Sequence, residues 1–223
     1  MNPSPSPVLL TLSLLSIAAC ASFAEQGKFY VKADAGGAVT TDTELKEFFG
    51  QALAPSSEIS FDPGFHLGVR GGYGVTDWFD AEVETGFTVN RIDSITGASE
   101  ADGDVTNIPL LLNARFHCPA LHRVSPYFGA GLGFASTVLW ADDIVIGSTV
   151  MDGSTSGLVF AYQAFAGVRF AINERMGISV EYHYFATTSA EMDAAVVVGT
   201  TSDELEIGGM SSHLVTLAFD YRF

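Results

Sequence analysis

The stretch His213-Leu214-Val215-Thr216-Leu217-Ala218-Phe219-Asp220-Tyr221-Arg222-Phe223 decides the fold, because its side chains alternate in character. Counting back from Phe223, every second residue is apolar, and the residues between include Arg222, Asp220 and Thr216. A period of two gives a β-strand one apolar and one polar face. In a membrane barrel the apolar face meets lipid, whereas in a soluble sandwich it packs on a second sheet. The charges close to the terminal aromatic residue favour the barrel.

Seven earlier segments show the same alternation, and the links between the eight segments alternate in length. The segments are residues 28–39, 63–75, 79–90, 107–116, 126–140, 158–172 and 178–185. The links run long, short, long, short, long, short, long, as in an up-and-down barrel with turns at one end and loops at the other. The sequence therefore predicts an all-β fold, an eight-stranded antiparallel up-and-down transmembrane β-barrel with short periplasmic turns and four long acidic extracellular loops.

Apolar and aromatic residues give two further expectations. The helical spacing of the apolar residues in 45–53 predicts a short helix in the first long loop. This segment and residues 194–199 are apolar patches in acidic surroundings that could bind a partner. Aromatic residues at both ends of the strands predict two interfacial girdles. The girdles would contain Trp78, Phe116, Tyr127, Tyr73, Phe170 and Phe223 at the short-turn end, and Trp140, Phe87, Phe65 and Tyr184 at the long-loop end.

The beginning of the chain predicts export. Residues 8–24 carry no charge, and Ser22-Phe23-Ala24 offers small residues at the two positions that a signal peptidase reads. We expect a signal peptide over residues 1–24 and one barrel domain over residues 25–223. Alternatively, Ile17-Ala18-Ala19-Cys20 resembles a lipoprotein box, in which case Cys20 would be acylated rather than removed. Cys118 is the only other cysteine, so no intramolecular disulfide is expected in the processed chain.

The formal net charge of −16 is concentrated in the predicted loops. Residues 40–62, 91–104, 140–157 and 186–210 contain 17 of the 26 acidic residues and, among the bases, only Lys46 and Arg91. Near-neutral strands with acidic connections indicate a scaffold that displays anionic loops. Nucleic acid is disfavoured as a partner, because its phosphates would be repelled.

Several local motifs give the chain a family resemblance. They are Ile108-Pro109-Leu110-Leu111-Leu112-Asn113-Ala114-Arg115, Pro126-Tyr127-Phe128-Gly129-Ala130-Gly131-Leu132-Gly133, Gln163-Ala164-Phe165-Ala166-Gly167-Val168-Arg169 and Glu181-Tyr182-His183-Tyr184. From Lys28 to Phe223 the chain resembles the eight-stranded outer-membrane barrels of the OmpA-like, OmpX-like and opacity-protein type. The resemblance implies an assembly signal read by the barrel-assembly machinery, formed by Val215, Leu217, Phe219, Tyr221 and Phe223.

Charged residues on the inward face of the predicted strands form the candidate site. An eight-stranded barrel is just wide enough to be filled by side chains, so these charges should pair across the lumen. A structural ion-pair network is the simplest interpretation, and a narrow gate in which Arg70 or Arg169 exchanges carboxylate partners is the alternative. The residues are Lys32, Asp34, Arg70, Asp80, Glu82, Glu84, Arg115, Arg169, Glu181, Asp220 and Arg222.

Other chemistry is weakly indicated. Ser211 and His213 share the outward face near the outer rim, where a lipid hydrolase would need them, but no acidic residue is expected beside them to orient the histidine. His117, Cys118 and His122 are one ligand short for zinc, and the acidic residues at 100–104 lack the spacing of a calcium loop. We therefore expect no cofactor and no metal.

The sequence favours a non-enzymatic integral outer-membrane protein with a structural or surface-interaction role of the adhesin or antigen type. A narrow small-solute or ion channel is the alternative, and an outer-leaflet lipid hydrolase is a remote one. Expected partners are outer-membrane lipid and lipopolysaccharide, the barrel-assembly machinery, and an extracellular ligand or host surface. We expect a monomer.

Overall fold

The structure, a computed structural model, describes residues 27–50, 53, 56–117, 123–193, 197–198 and 204–223. The predicted signal peptide with Cys20, together with Cys118 and His122, lies outside the described residues. The described chain contains the strands β1 Phe29–Thr40, β2 Thr43–Phe48, β3 Glu58–Phe61, β4 Gly64–Gly74, β5 Phe79–Ile95, β6 Ala98–His117, β7 Val124–Ile146, β8 Thr149–Ala171, β9 Met176–Thr187, β10 Ala190–Asp193, β11 Val197–Val198, β12 Glu204–Ile207 and β13 Ser211–Arg222. Within these ranges no helix has the length and apolar character needed to cross a bilayer.

Eight long antiparallel strands close into a ring, which we call the lower ring. Its order is β1, β4, β5, β6, β7, β8, β9, β13 and back to β1. The last strand closes it through a continuous register with the first, from Tyr30 opposite Arg222 to Thr40 opposite Ser212. The predicted eight-stranded up-and-down barrel is confirmed.

The two faces of the lower ring differ as the alternation predicts. Outward side chains are apolar and exposed, for example Phe29 at 63% and Leu110 at 62%, whereas the inward Lys32 and Arg70 are buried. Every segment keeps the predicted phase, because a slip of one residue would turn all its apolar side chains inward. The exception among the girdle aromatics is Tyr127, which the sequence placed on the outer surface. Its side chain points into the lumen and is 3% exposed.

The predicted helix at residues 45–53 is wrong, because the described part of this segment begins as strand β2. Leu45 and Phe48 both face inward although they are three residues apart. The register with β12 shifts at this point, so that Leu45 lies opposite Ile207 and Phe48 opposite Leu205. A β-bulge inserts one extra residue into a strand, and here it produces the spacing that a helix would have.

Residues 91–104 and 140–157, which the alternation rule treats as loops, are continuations of strands β5 to β8. The β5–β6 and β7–β8 hairpins end in tight turns at Gly97 and Gly147, both with positive φ. Register shifts interrupt the alternation in β6 and β7. The period of two is therefore lost in the sequence although the strands continue.

The extensions form a second ring above the first, which we call the upper ring. β3, β2, β12 and β10 follow β5 in a continuous ladder, while β6, β7 and β8 extend on its other side. β10 lies beside β8. Just before β10, Thr188 N donates to Phe160 O of β8 at 2.9 Å. The upper ring thus shares four strands with the lower ring and replaces the other four by strands from the first and last long loops.

The interior of the upper ring is apolar. Its side chains are between 0 and 7% exposed, and they include Leu45, Phe48, Phe49, Ile59, Ile92, Ile95, Val105, Leu139, Ile144, Ile146, Met151, Met192, Leu205, Ile207 and Met210. The patch predicted at 45–53 as a docking surface is therefore buried at Leu45, Phe48 and Phe49. Of the other predicted patch, only Val197 and Val198 are described, and they pair with β8.

Replacing Phe48 by Ala tests the packing of the upper ring. Phe48 is 1% exposed, so we expect its truncation to destabilise the ring by about 3–5 kcal/mol. A non-specific protease added outside intact cells should then cut the extracellular segments. The lower ring should stay folded, so that without heating the protein still migrates in gel electrophoresis at the position of the folded barrel. The control Glu44→Ala removes an exposed side chain of the same strand. Equal protease resistance of both variants would contradict a packed upper ring.

Candidate functional site

The structure places the predicted charged residues inside the lower ring. Arg70, Arg115 and Lys32 are at most 1% exposed. Ten of the eleven residues predicted for this site are buried, and Arg222 near the end of the last strand is partly exposed. Strand alternation alone brings these residues to one interior, since the outward positions face lipid.

Arg70 lies at the centre of the network. Its Nη1 donates to Glu181 Oε2 at 2.6 Å and its Nη2 to Asp34 Oδ1 at 3.0 Å, while its Nε lies 3.1 Å from Glu84 Oε2. The residues come from strands β4, β9, β1 and β5. One guanidinium therefore ties four strands of the lower ring together.

A second cation, Lys32, shares the Glu181 carboxylate. Its Nζ lies 2.7 Å from Glu181 Oε1, and the hydroxyl of Tyr127 donates to the same oxygen. The ammonium also lies 4.7 Å from the centre of the Tyr127 ring. Glu181 is thus surrounded by two cations and a hydroxyl, which compensates its removal from water.

Arg115 occupies the lumen toward the short-turn end, between two aromatic rings. Its guanidinium carbon lies 4.3 Å from the Tyr127 ring centre and 5.5 Å from that of Tyr30. Its Nη1 donates to the Tyr30 hydroxyl at 3.0 Å and lies 3.3 Å from Glu82 Oε1. The Tyr30 hydroxyl in turn donates to Glu82. A desolvated guanidinium between π-faces gains cation–π attraction in addition to its ion pairs.

Arg169 and Asp220 form a bidentate ion pair that connects β8 to the last strand. Arg169 Nε and Nη2 donate to Asp220 at 2.8 and 2.7 Å. Arg222 Nε lies 4.0 Å from the same carboxylate. β8 and β13 are not neighbours in the lower ring, so this pair spans β9 between them.

The sequence analysis did not identify the histidine and glutamine members of the network. His66 Nε2 lies 3.2 Å from Asp34, His183 Nε2 2.9 Å from Glu181, and His117 Nε2 3.4 Å from Asp80. Gln163 Nε2 donates to Glu84 Oε2 at 2.6 Å. Their inward position in the alternation was the signal that could have identified them, because a polar side chain in a filled lumen must find a partner.

The other candidate groups do not combine into a site. Ser211 Oγ bonds to Thr41 Oγ1 at 2.7 Å, and His213 Nδ1 bonds to the Tyr182 hydroxyl at 2.7 Å, so each candidate hydrolase residue is bonded to a different hydroxyl. In the part of the chain that the structure describes, no three acidic, histidine or cysteine side chains are placed to hold a metal ion.

The only lysine of the upper ring is held at its outer surface. Lys46 Nζ lies 2.7 Å from Glu206 Oε1 and donates to Ser189 Oγ at 2.8 Å. The hydrogen bond with Glu206 raises the pKa of Lys46 above its ordinary value. These contacts connect β2, β12 and the segment after β9.

Comparisons with known proteins agree with this geometry. Residues 8–223 match the family model of the outer membrane protein beta-barrel domain. The fold is similar to the outer membrane protein OprG from Pseudomonas aeruginosa, with a TM-score of 0.59, 16% identity and coverage of 89% of this chain and 97% of that one. It is also similar to Neisserial surface protein A, with a TM-score of 0.51, 16% identity, and coverage of 87% and 97%. A search of the curated proteins finds no match.

The buried pair Arg169–Asp220 can be tested by a double-mutant cycle. We expect Arg169→Met alone to lower the free energy of unfolding in detergent by about 3–5 kcal/mol, because it leaves a carboxylate buried without its main partner. The double variant Arg169→Met/Asp220→Leu should lose less than the single one. Arg175→Met, in the exposed turn after β8, is the control. Additive losses in the double variant would show that the two side chains do not interact.

Proposed function

This chain belongs to the family of outer membrane protein β-barrel domains, and within that family we propose that it is a non-enzymatic surface-interaction protein. The lower ring anchors it in the outer membrane, and the upper ring presents an acidic outer wall to the surroundings. An adhesin-like or antigen-like role follows from this arrangement.

The packed interior of the upper ring carries the proposal. Phe48, Phe49 and Ile207, which come from the first and last long loops, are at most 1% exposed and meet over the lumen. A core of this kind holds the outer surface in one shape, and a fixed shape favours specific binding because little ordering remains to be done on contact.

The outer wall supplies the charge for recognition. Its exposed acidic residues include Asp42, Glu44, Glu58, Asp62, Asp93, Asp102, Asp104, Asp142, Asp152 and Glu191. Such a surface attracts cationic or hydrogen-bond-donating partners and repels phosphate-rich ones. Ser211 and His213 are each hydrogen-bonded to the hydroxyl group of another residue, which supports a role without hydrolysis.

A surface role makes attachment depend on the upper ring. Cells that express the protein should attach to a host-cell layer better than cells without it, and Phe48→Ala should remove the gain because the outer wall loses its fixed shape. Arg169→Met/Asp220→Leu, which alters only the lumen, should retain attachment if its surface level is unchanged. Equal attachment with and without the protein would contradict the proposal.

A narrow ion channel is the second candidate, and one observation favours it. Arg70 lies within reach of three carboxylates, those of Asp34, Glu84 and Glu181, so it has alternative partners between which it could move. Such an exchange would open a path only if the apolar interior of the upper ring also parted.

Planar-bilayer recording separates the two candidates. The surface role predicts baseline conductance for the wild type and for Glu82→Ala, because the apolar interior above the network still closes the lumen. A gate predicts that Glu82→Ala raises single-channel conductance, since Arg115 then loses a carboxylate partner at 3.3 Å. A porin reconstituted in the same bilayers is the positive control.

A further inference from the structure

A concave site lies on the outer wall of the upper ring, where β5, β6 and β7 run side by side. Two adjoining clefts of about 350 and 300 Å³ share Arg91 and Asp102. Asp62 and Asp93 line the first cleft, and Asp104, Trp140 and Asp142 line the second. None of these residues belongs to the network in the lumen. We call the two together the Arg91 cleft.

Three of its side chains stand in one cross-strand row. Arg91 is opposite Asp104, and Asp104 is opposite Trp140. Arg91 also binds Asp102, with Nη2 2.6 Å from Oδ1, although their side chains are 64% and 57% exposed. Trp140 is 56% exposed. The row therefore offers a flat aromatic surface beside an ion pair that remains accessible to a ligand.

The height of the site places it outside the hydrocarbon. Phe128 is an exposed aromatic residue near the start of β7, at the short-turn end of the barrel. Trp140 lies 12 residues further along the same strand. At about 3.3 Å per residue and a strand tilt of roughly 40°, the two residues are about 30 Å apart along the barrel axis. The apolar band of such barrels is only about 25 Å tall. The cleft thus opens at or above the outer membrane–water interface.

Irregularities of three ladders meet at the cleft. Register shifts occur in β3 between Ser60 and Phe61, in β6 between Ala101 and Gly103, and in β7 between Ala141 and Ile144. Gly103 permits the close approach of β6 to β7, because a Cβ there would lie 2.5 Å from Trp140 O. Bulges re-aim side chains and deepen local curvature. The two shallow clefts lie where these shifts meet.

The chemistry of the lining fits a sugar. Carboxylates accept hydrogen bonds from hydroxyl groups, a guanidinium donates to hydroxyl and ring oxygens, and an indole ring packs on the apolar face of a pyranose. We propose that the Arg91 cleft binds a saccharide, with Trp140 as the stacking surface and Arg91, Asp102 and Asp104 as the hydrogen-bonding groups. This inference rests on the proposed surface-interaction function and names the class of its ligand.

The charge of the cleft selects among saccharides. Five aspartates face a single cation, Arg91, and the hydrogen bond with Asp102 raises the pKa of that guanidinium, so it stays charged. Sialylated, sulfated and phosphorylated sugars would be repelled. The expected ligand is a neutral saccharide, supplied either by a glycan of another cell or by the sugar of an outer-leaflet glycolipid.

The tryptophan content allows a direct measurement. The chain has two tryptophans, and the other one, Trp78, lies at the short-turn end of the lower ring. In a Trp78→Phe background, Trp140 alone reports on the cleft. The full protein in phosphatidylcholine nanodiscs would be titrated with chitotriose, lactose and maltotriose, with sialyllactose, and with calcium chloride alone, while Trp140 emission is recorded.

We expect a saturable change of emission with at least one neutral oligosaccharide and binding about tenfold weaker, or none, with sialyllactose. Asp104→Asn and Arg91→Met should each abolish the change, whereas Glu191→Gln on β10 should retain it. Nanodiscs that contain lipopolysaccharide separate the two sources. If the change appears there without added sugar and survives dephosphorylation of the lipid, the saccharide belongs to the membrane.

The inference is overturned if no sugar changes Trp140 emission, if sialyllactose binds as tightly as the neutral sugars, or if calcium alone produces the change. Failure of the surface role is distinguishable, because attachment of Asp104→Asn cells is measured separately. Wild-type attachment that Asp104→Asn leaves intact, together with silent emission, would reject the saccharide but keep the surface role. Absence of wild-type attachment would reject the surface role itself.

Discussion

The ladder between β1 and β13 is the constraint on which the other features depend. In hydrocarbon an unpaired backbone group has no water to bond to, so a spanning sheet must have no open edge. The register from Tyr30–Arg222 to Thr40–Ser212 removes the last two edges. It also fixes the upper ring, because β2 follows β1 and β12 precedes β13. Their pairing, with Leu205 opposite Phe48, therefore joins the first and last long loops directly above the closing ladder.

The two rings have opposite interiors, polar in the lower ring and apolar in the upper ring. In the lower ring the outward positions must be apolar, so alternation sends polar side chains inward, and Arg70, Arg115 and Lys32 are almost fully buried. Each needs several partners, since removing a charge from water costs more than one contact returns. The upper ring is surrounded by water, so its apolar residues turn inward as in a soluble protein. The change of interior occurs along shared strands, as β5 shows between the lumenal Glu84 and the apolar Ile92.

The same contrast explains how far the sequence could predict the structure. The lower ring was predictable because lipid, pleat and closure all impose a period of two, as in the run from Phe79 to Asn90. Leu45 and Phe48 were misread because a bulge reproduces helical spacing, and Tyr127 because aromatic residues suit both an interface and a cation–π contact. The partners within the lumen were beyond reach, since Arg169 and Asp220 are 51 residues apart and their pairing depends on barrel radius and stagger. The Arg91 cleft could not be predicted, because its bulges leave no periodic signal in the sequence.

The uneven distribution of charge follows from the two environments. The barrel strands are nearly neutral because each buried cation must meet a carboxylate, whereas the acidic residues of the upper ring face water, where charges more than about 8 Å apart are screened at physiological ionic strength. Acidic substitutions there have little effect on the stability of the fold, so the number of acidic residues can be determined by binding to a partner. Arg91 is the informative exception, being the only arginine in the four acidic stretches. An exposed ion pair contributes little to stability, so the location of Arg91 in a cleft with Asp102 is consistent with the binding role that we propose for it.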